Sequence, residues 1–236
     1  MEQGQPATPF AGLASGVAAT VTNILGRLDI GGNDRKVRSD LPPNTVFLNV
    51  YDITVANRIL YYTGAGVHHT GVELYGMEFA FGRCEEDTGV FQVEPKNTPP
   101  HTFREQLVLG TTQLTRGEVL GLVQEMKGNR ERWSGRSYHI VKNNCNSFSE
   151  AFAKRLLPPD VRYDQHQARE KKDGSSSVVE VYDNGEREVV RLSGGQSVEV
   201  PVLMPSWVNR LANTAERILG EDLVQKIDDI DRKAVR

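Results

Sequence analysis

The sequence contains few cysteines, almost no excess charge and no long apolar run. Only Cys84 and Cys145 occur among its 236 residues, which excludes a disulfide framework and a zinc site built from four cysteines. The formal net charge of -3 gives no electrostatic reason to expect nucleic acid as a partner. No segment reaches the roughly 18 consecutive apolar residues that a membrane span needs. We therefore expect a chain without a transmembrane segment, a metal or another cofactor.

The compartment can be inferred from the same features. Two thiols and no recognisable signal peptide favour a reducing environment, so we expect a cytoplasmic location, with the nucleus as a second possibility. The most apolar N-terminal run, Phe10 to Leu25, is interrupted by small and polar residues, and no basic region precedes it. Hydrophobic residues make up 38% of the chain, which is enough for a substantial core.

The sequence predicts four parts along the chain. The first is an N-terminal extension in which apolar residues at helical spacing predict one short helix. That helix is either transient within a tail or docks on the domain or on a partner. The main domain, a charged linker with a β-hairpin insertion, and a C-terminal helical segment follow. The predicted bounds are 1–44, 45–160, 161–204 and 205–236.

Five strands are predicted in the main domain from branched and aromatic residues bounded by turn signals. They are Val46–Ile53, His68–Leu74, Met77–Gly82, Val90–Val93 and Glu105–Leu109. Tyr75-Gly76 predicts a tight turn between the second and third strands, because glycine at the second position suits a type I′ hairpin. Strands come before helices without regular βαβ alternation, which predicts an α+β fold with an antiparallel sheet.

Two helices are predicted after the strands. Thr115 and Glu118 have the spacing of a capping box, and apolar residues then recur at i, i+3, i+4 and i+7 from Val119. The second helix begins near Asn144 and ends before Pro158-Pro159, which cannot continue it.

The region after the second helix has a different composition. Arg162–Ser177 is charged and has almost no large apolar side chains, which indicates an exposed linker. Val178–Tyr182 and Arg187–Leu192 then flank Asn184-Gly185, the preferred pair for a type I′ turn, and predict a hairpin. Ser197–Leu203 could add a third strand.

Cys145 lies between an extended segment and the first turn of the second predicted helix. Free N–H groups and the positive end of the helix dipole at that position lower the pKa of a thiol and favour the thiolate. The backbone N–H of Cys145 also points to where an oxyanion would form on an attacked carbonyl. The alternative is a small buried apolar residue, which is what most free cysteines are.

A nucleophilic thiolate needs a base, and histidine is the usual one near neutral pH. Of the five histidines, His166 lies in the predicted linker and His101 in a loop after Pro99-Pro100, so neither is favoured. His68 and His69 begin a predicted strand, in which adjacent side chains point to opposite faces. At most one of these two faces a cleft, and the alternative for each is an edge or surface histidine.

Three motifs in this order resemble the PPPDE family, whose members are cysteine peptidases with a permuted papain-like fold and include the DeSI-type desumoylating isopeptidases. The motifs are Val46–Asp52, Gly66–Gly82 and Asn143–Ser149. The resemblance covers about Asn44 to Pro159. It implies that His69, in the His-Thr-Gly element, is the base and that Cys145, in the Asn-Cys-Asn element, is the nucleophile. Histidine before cysteine reverses the papain order, as a circular permutation would.

The activity that the resemblance implies is that of a cysteine isopeptidase. Such an enzyme would remove ubiquitin or SUMO-type modifiers from proteins through the Cys145–His69 dyad and an acyl-enzyme intermediate. A protein S-acyl thioesterase with the same dyad is a second hypothesis, for which we expect a wider apolar groove near Cys145. A third is a non-catalytic interaction module, although such a module needs neither residue. The sequence does not indicate the oligomeric state.

Other residues near the dyad have several possible roles. Glu73 and Glu78 are near His69 in the predicted hairpin and could orient it, although strand glutamates are usually solvated. Tyr138 and His139 could border the oxyanion. Cys84 precedes three acidic residues that disfavour its thiolate, so we expect no catalytic role for it.

Two further features concern the substrate. Gly71, beside His69, is compatible with the narrow channel that the Gly-Gly tail of a modifier would need. Pro205–Ala212 is similar to the stretch that follows the cysteine helix in one branch of the family, but an insertion separates it from that helix here. Added strands could cover or extend the cleft, so the insertion leaves the substrate preference open.

Overall fold

The computed structural model of the chain describes residues 41–53, 68–85, 87–170 and 181–209. Most of the predicted N-terminal extension therefore lies outside the described residues. The same holds for the first part of the predicted hairpin and for most of the predicted C-terminal helical segment.

An antiparallel five-stranded sheet is the centre of the fold. Its strands are β1 (Thr45–Asp52), β2 (His68–Leu74), β3 (Met77–Phe81), β4 (Val90–Val93) and β5 (Thr102–Thr111), in the order β4-β3-β2-β1-β5. Every residue of the interior strand β1 is buried, and β2 and β5 pair with its two edges. Tyr75 and Gly76 have φ values of 51° and 70°, as a type I′ turn requires. The predicted strands and the α+β class are confirmed.

Four helices are present in the described part of the chain, α1 (Arg116–Gly128), α2 (Arg130–Trp133), α3 (Cys145–Leu156) and α4 (Pro159–Glu170). Thr115 and Glu118 form the predicted capping box at the start of α1. α3 packs on β2 and β3 with its buried face, which includes Phe148 and Phe152. None of the helices that the structure describes is long and apolar enough to cross a membrane.

Aromatic rings fill the space between α3 and the sheet. The Phe148 ring lies 5.3 Å from Trp133 and 5.7 Å from Phe152, measured between centroids. Phe81, from β3, lies 5.2 Å from Trp133 and 5.4 Å from Tyr138. These edge, tilted and stacked contacts lie at the usual separations of aromatic pairs, and they fix the position of α3 on the sheet.

The predicted linker is wrong over its first part, because residues 162–170 belong to α4. Pro159 is the first residue of this helix, a position that suits proline because the first N–H of a helix needs no partner within it. Arg162 is buried and pairs with Glu188, with 2.7 Å between Nη2 and Oε1. Gln165 donates a hydrogen bond of 2.7 Å to the Thr111 carbonyl and accepts one of 3.0 Å from the Thr111 N–H. Gln165 thus holds α4 against β5 and Arg162 joins it to Glu188, contacts which the composition did not indicate.

A hairpin is present in the insertion, but it is formed by the second and third of the predicted strands rather than by the first and second. β6 (Arg187–Arg191) pairs with β7 (Ser197–Pro201), and Asn184-Gly185 lies before the hairpin rather than at its turn. The Asp183 and Asn184 side chains accept hydrogen bonds from the backbone N–H groups two residues on, which replaces strand pairing. The N–H of Tyr182 donates to the carbonyl of Val108 in β5, at 2.7 Å. Residues 181 and 182 therefore do not pair with β6.

Replacement of Phe148 by alanine is expected to destabilise the fold strongly. Phe148 is fully buried among three other aromatic rings, and removing such a side chain costs about 3–5 kcal/mol because a cavity remains. Urea denaturation of Phe148→Ala measures this loss. Leu120→Ala in α1 is the control, since Leu120 is 36% exposed and its loss should cost about 0.5 kcal/mol. Equal losses in the two variants would contradict the packing described here.

Candidate active site

Cys145 is the first residue of α3. Asn144 caps the helix by accepting a hydrogen bond of 3.0 Å from the Ser147 N–H, and the Ser147 hydroxyl accepts one from the Asn144 N–H in return. The Asn144 amide also donates to the Ile140 carbonyl at 2.9 Å, which ties the cap to the preceding loop. Asn144 therefore has a structural role. It fixes the Cys145 thiol at the N-terminus of the helix, as the sequence predicted.

The thiol lies against the edge of β2. Its sulfur is 4.0 Å from the carbonyl oxygen of His68, and the backbone N–H of Thr70 donates a hydrogen bond to it. These two backbone groups lie on either side of His69 and point to the same side of the strand. β3 pairs with β2 only from Val72 onward, so no described strand occupies this edge. The structure thus brings Cys145 next to the backbone of His69.

Thr70 fastens the start of α3 to the strand. Its hydroxyl is 3.0 Å from Asn146 Oδ1 and 3.0 Å from Ser149 Oγ, and both of these residues belong to α3. Thr70 is fully buried, as is Ser149, so these contacts form away from water, where an unpaired polar group would be costly. The threonine of the His-Thr-Gly element and the second asparagine of the Asn-Cys-Asn element therefore meet directly.

The side chains of the adjacent histidines lie on opposite faces of the sheet. His69 is opposite Tyr51 in the strand register, whereas His68 is opposite Asp52 and lies on the Thr70 face. His68 Nδ1 is 3.3 Å from Asp52 Oδ1, and its ring lies 5.3 Å from that of Trp207.

His69 is buried, and its ring is in contact with other rings rather than with a carboxylate. Its centroid lies 5.9 Å from that of Tyr51 and 4.9 Å from that of His101. Neither ring nitrogen has a hydrogen-bond partner among the described residues. Burial, and secondly the nearby His101, hold the pKa of His69 well below its usual value, so the imidazole is neutral at neutral pH.

Two candidates for orienting His69, Glu78 and Glu73, are engaged elsewhere. The Tyr51 hydroxyl lies 2.7 Å from both oxygens of the buried Glu78 carboxyl, and Asn49 donates to the same group at 2.6 Å. Burial raises the pKa of Glu78, although these hydrogen bonds favour its charged form. Glu73 accepts hydrogen bonds from Asn49 and Gln106 instead.

Gly71 is required by the Glu78 carboxyl rather than by a channel for a substrate tail. A Cβ atom at position 71 would overlap the Glu78 side chain, which occupies that space on the face of β2. The Glu78 side chain in turn holds the Tyr51 hydroxyl. Asn49 and Tyr51 were not predicted as residues of the site. Both are polar residues in an otherwise apolar predicted strand, and this pattern could have identified them, because buried polar side chains need partners.

Burial outweighs the effect of the helix N-terminus on the thiol. Cys145 is 3% exposed, and burial raises its pKa to about 11. Hydrogen bonds from the backbone N–H groups of Thr70 and Asn146 and from the Tyr138 hydroxyl act in the opposite direction and favour the thiolate. The expectation of a lowered pKa is therefore wrong for this state of the protein. Tyr138 does lie at the thiol, whereas His139 accepts hydrogen bonds from the backbone N–H groups of residues 141 and 142.

The segment after the hairpin reaches the start of α3. Asn146 donates from Nδ2 to the Val208 carbonyl at 3.4 Å and to Asn209 Oδ1 at 3.2 Å. Ser206 is held by Glu186, which accepts hydrogen bonds of 2.8 Å from its N–H and from its hydroxyl. The insertion therefore holds residues 206–209 beside the cysteine.

The second thiol of the chain belongs to Cys84. The Cys84 thiol donates to the Thr88 carbonyl at 3.4 Å and is packed against Gly135, in the loop between β3 and β4. No cluster of three or more histidine, cysteine or acidic side chains suited to a metal occurs among the described residues.

Comparison with known proteins identifies relatives of this chain. Residues 44–173 match the family described as "PPPDE putative peptidase domain". The chain is 39% identical over 106 residues to a DeSI-like protein of Arabidopsis thaliana, a match that covers 44% of this chain and 46% of the relative. It is 30% identical over 139 residues to a desumoylating isopeptidase 1 homolog of Caenorhabditis elegans, covering 57% of this chain and 39% of that protein.

A third relative is covered more fully. Desumoylating isopeptidase 1 of Xenopus laevis is 30% identical over 120 residues, which is 48% of this chain and 68% of that protein. The chain spans less than half the length of the Arabidopsis and Caenorhabditis relatives. The matched region contains the five-stranded sheet, both motif histidines and Cys145. The chain therefore belongs to the PPPDE peptidase family.

Proposed function

We propose that the protein is a cysteine isopeptidase that removes SUMO-type or ubiquitin modifiers from proteins, with Cys145 as nucleophile and His69 as base. The observation that carries this proposal is the position of the Cys145 thiol at the edge of β2 that no described strand pairs with, between the backbone groups that flank His69. The relatives from Caenorhabditis elegans and Xenopus laevis are named as desumoylating isopeptidases, which favours SUMO as the modifier.

The proposed reaction begins with two neutral groups. His69 accepts the proton of the Cys145 thiol as the sulfur attacks the isopeptide carbonyl carbon, which leaves a negative charge on the carbonyl oxygen. The Cys145 N–H at the start of α3 stabilises this oxyanion. The C–N bond then breaks, and protonated His69 gives its proton to the departing lysine amine. The modifier remains attached to Cys145 as a thioester.

Water completes the cycle. Neutral His69 takes a proton from a water molecule, whose oxygen attacks the thioester carbon. The C–S bond breaks, and the thiol regains its proton from His69. The products are a modifier with a free carboxyl terminus and a protein with a free lysine. Because the low pKa of His69 and the high pKa of Cys145 both disfavour an ion pair, the thiolate forms during the attack rather than before it.

Substitution of either member of the dyad is expected to abolish turnover. With SUMO or ubiquitin carrying a C-terminal aminomethylcoumarin as substrate, Cys145→Ala and His69→Gln should lower kcat/KM by about 10³-fold or more, because nucleophile and base act as a unit. Release of coumarin fluorescence measures this loss.

The matched controls are Cys84→Ala and His68→Gln, which remove the other thiol and the histidine on the opposite face; both should retain turnover. If His68→Gln abolishes turnover while His69→Gln does not, the assignment of the base is wrong. Release of palmitate from a thioester without cleavage of either modifier substrate would identify a thioesterase. No turnover of any of these substrates would favour the third hypothesis, a non-catalytic interaction module.

The kcat/KM for the SUMO substrate is expected to stay level from about pH 6.5 to about pH 8.5. These two limits are the ordinary pKa values of histidine and cysteine. The active form has neutral His69 and neutral Cys145. The lowered pKa of His69 places its protonation below pH 6.5, and the raised pKa of Cys145, about 11, places thiol ionisation above this window. A fall between pH 7 and pH 9 would indicate a thiolate–imidazolium pair and contradict the proposed starting state.

Alkylation of Cys145 by iodoacetamide should be slow in the free enzyme. At pH 7 a thiol with a pKa of about 11 has roughly 300-fold less thiolate than a free cysteine with a pKa of about 8.5, and only the thiolate reacts. Mass spectrometry of the Cys84→Ala variant isolates the rate at Cys145. Alkylation faster than that of glutathione at the same pH would show an activated thiol instead.

A further inference from the structure

His101 is a second buried histidine at the proposed active site. Its ring is stacked on that of His69, with centroids 4.9 Å apart and an interplanar angle of 26°. The sequence placed His101 in a loop and gave no reason to connect it with His69. In the structure it lies directly before β5, and it is 8% exposed.

The backbone on both sides of His101 is fixed. The His101 N–H donates to the Thr98 carbonyl at 3.0 Å, and the next residue, Thr102, pairs with Asp52 in the register between β5 and β1. Asp52 is in turn opposite His68 in β2. The sheet therefore sets the separation of His101 from His69 through β1, with no need for a flexible connection.

Ring contacts take the place of the hydrogen bond that usually orients a catalytic histidine. Neither nitrogen of His69 has a partner among the described residues, so no described carboxylate or amide holds the ring. The second ring in contact with it, Tyr51, is itself held by the Glu78 carboxyl through its hydroxyl. His101 provides the flat, nearly parallel surface, and Tyr51 a tilted one.

We propose that His101 is a positioning residue, whose stacked ring holds the His69 imidazole in the orientation that proton transfer with Cys145 requires. This inference rests on the proposed function of His69. His101 acts through His69 and is not assigned a proton-transfer step of its own.

The charges around the pair are consistent with this role. The titratable side chains in contact with the His69 ring are Tyr51 from β1 and His101 from the segment before β5, with Glu78 behind Tyr51, while the Cys145 thiol lies at the backbone that flanks His69. Burial lowers the pKa of His101 to about 4, so that it is neutral where the enzyme is expected to work. Two neutral imidazoles can stack without the repulsion that two cations would have.

The test compares His101→Ala with His101→Phe in the full chain, with the SUMO coumarin substrate. His101→Ala should lower kcat by about 10- to 100-fold with little change in KM, because a misplaced base costs rate rather than binding. His101→Phe should recover most of that loss, since it restores a flat ring. His166→Ala, in α4, is the matched histidine control and should keep the kcat of the unaltered protein. If His101→Ala does not fold, His101→Leu, which has similar volume but no flat ring, replaces it.

A second measurement does not depend on turnover. Titration of the ¹⁵N-labelled His69 ring by NMR should place its pKa higher in His101→Ala than in the unaltered protein, because water entering the vacated space reduces the burial that lowers it. An unchanged kcat and an unchanged His69 titration in His101→Ala would overturn the inference. A loss of kcat that His101→Phe does not recover would also overturn it. If the unaltered protein turns over no modifier substrate, the proposed function fails and the inference that rests on it fails as well; a failure of the inference alone leaves the unaltered protein active and His101→Ala equally active, or its loss of kcat unrecovered by His101→Phe.

Discussion

The arrangement of the site depends on how the first turn of α3 is attached to the edge of β2 that no described strand pairs with. The Thr70 hydroxyl contacts Asn146 and Ser149, and the Thr70 N–H binds the sulfur of Cys145, so one strand residue fixes both the helix and the thiol proposed as the nucleophile. The edge is available because β3 leaves β2 before it reaches this point. Aromatic packing between α3 and the sheet then determines how the rest of the helix lies, and it supplies the apolar burial that the few polar contacts at the helix start could not provide.

A second constraint lies on the other face of β2. The buried Glu78 carboxyl needs several donors, and it obtains them from Tyr51, Asn49 and the Lys96 backbone. This network leaves the nitrogens of His69 free of described partners and holds the ring that packs on it. Burial lowers the pKa of His69 and raises that of Cys145, so the same property that stabilises the fold here also sets the protonation state from which the proposed reaction would start.

Much of the fold was predictable from the sequence because its signals are local. The strands, the Tyr75-Gly76 turn and the capping box of α1 depend on residues close together in the chain, and all are present. The family motifs located Cys145 and His69 but not their surroundings. α4 was missed because beyond Val161 its contacts are made by side chains such as Arg162 and Gln165, which in sequence resemble a solvated linker. The stacking of His101 on His69 and the burial of the thiol depend on tertiary contacts between distant segments, for which no local pattern exists.

The contact of Asn146 with Val208 and Asn209 joins positions 62 and 63 residues apart in the chain. During synthesis the cysteine helix and the sheet therefore leave the ribosome before the residues that complete the surroundings of Asn146. At translation rates of about 5–20 residues per second, this interval lasts several seconds. In the nascent chain the amide of Asn146 must bind water until the insertion has been synthesised and its hairpin has placed residues 206–209 beside α3. The hydrogen bonds of Asn146 are thus completed only after α3 and the sheet have been synthesised.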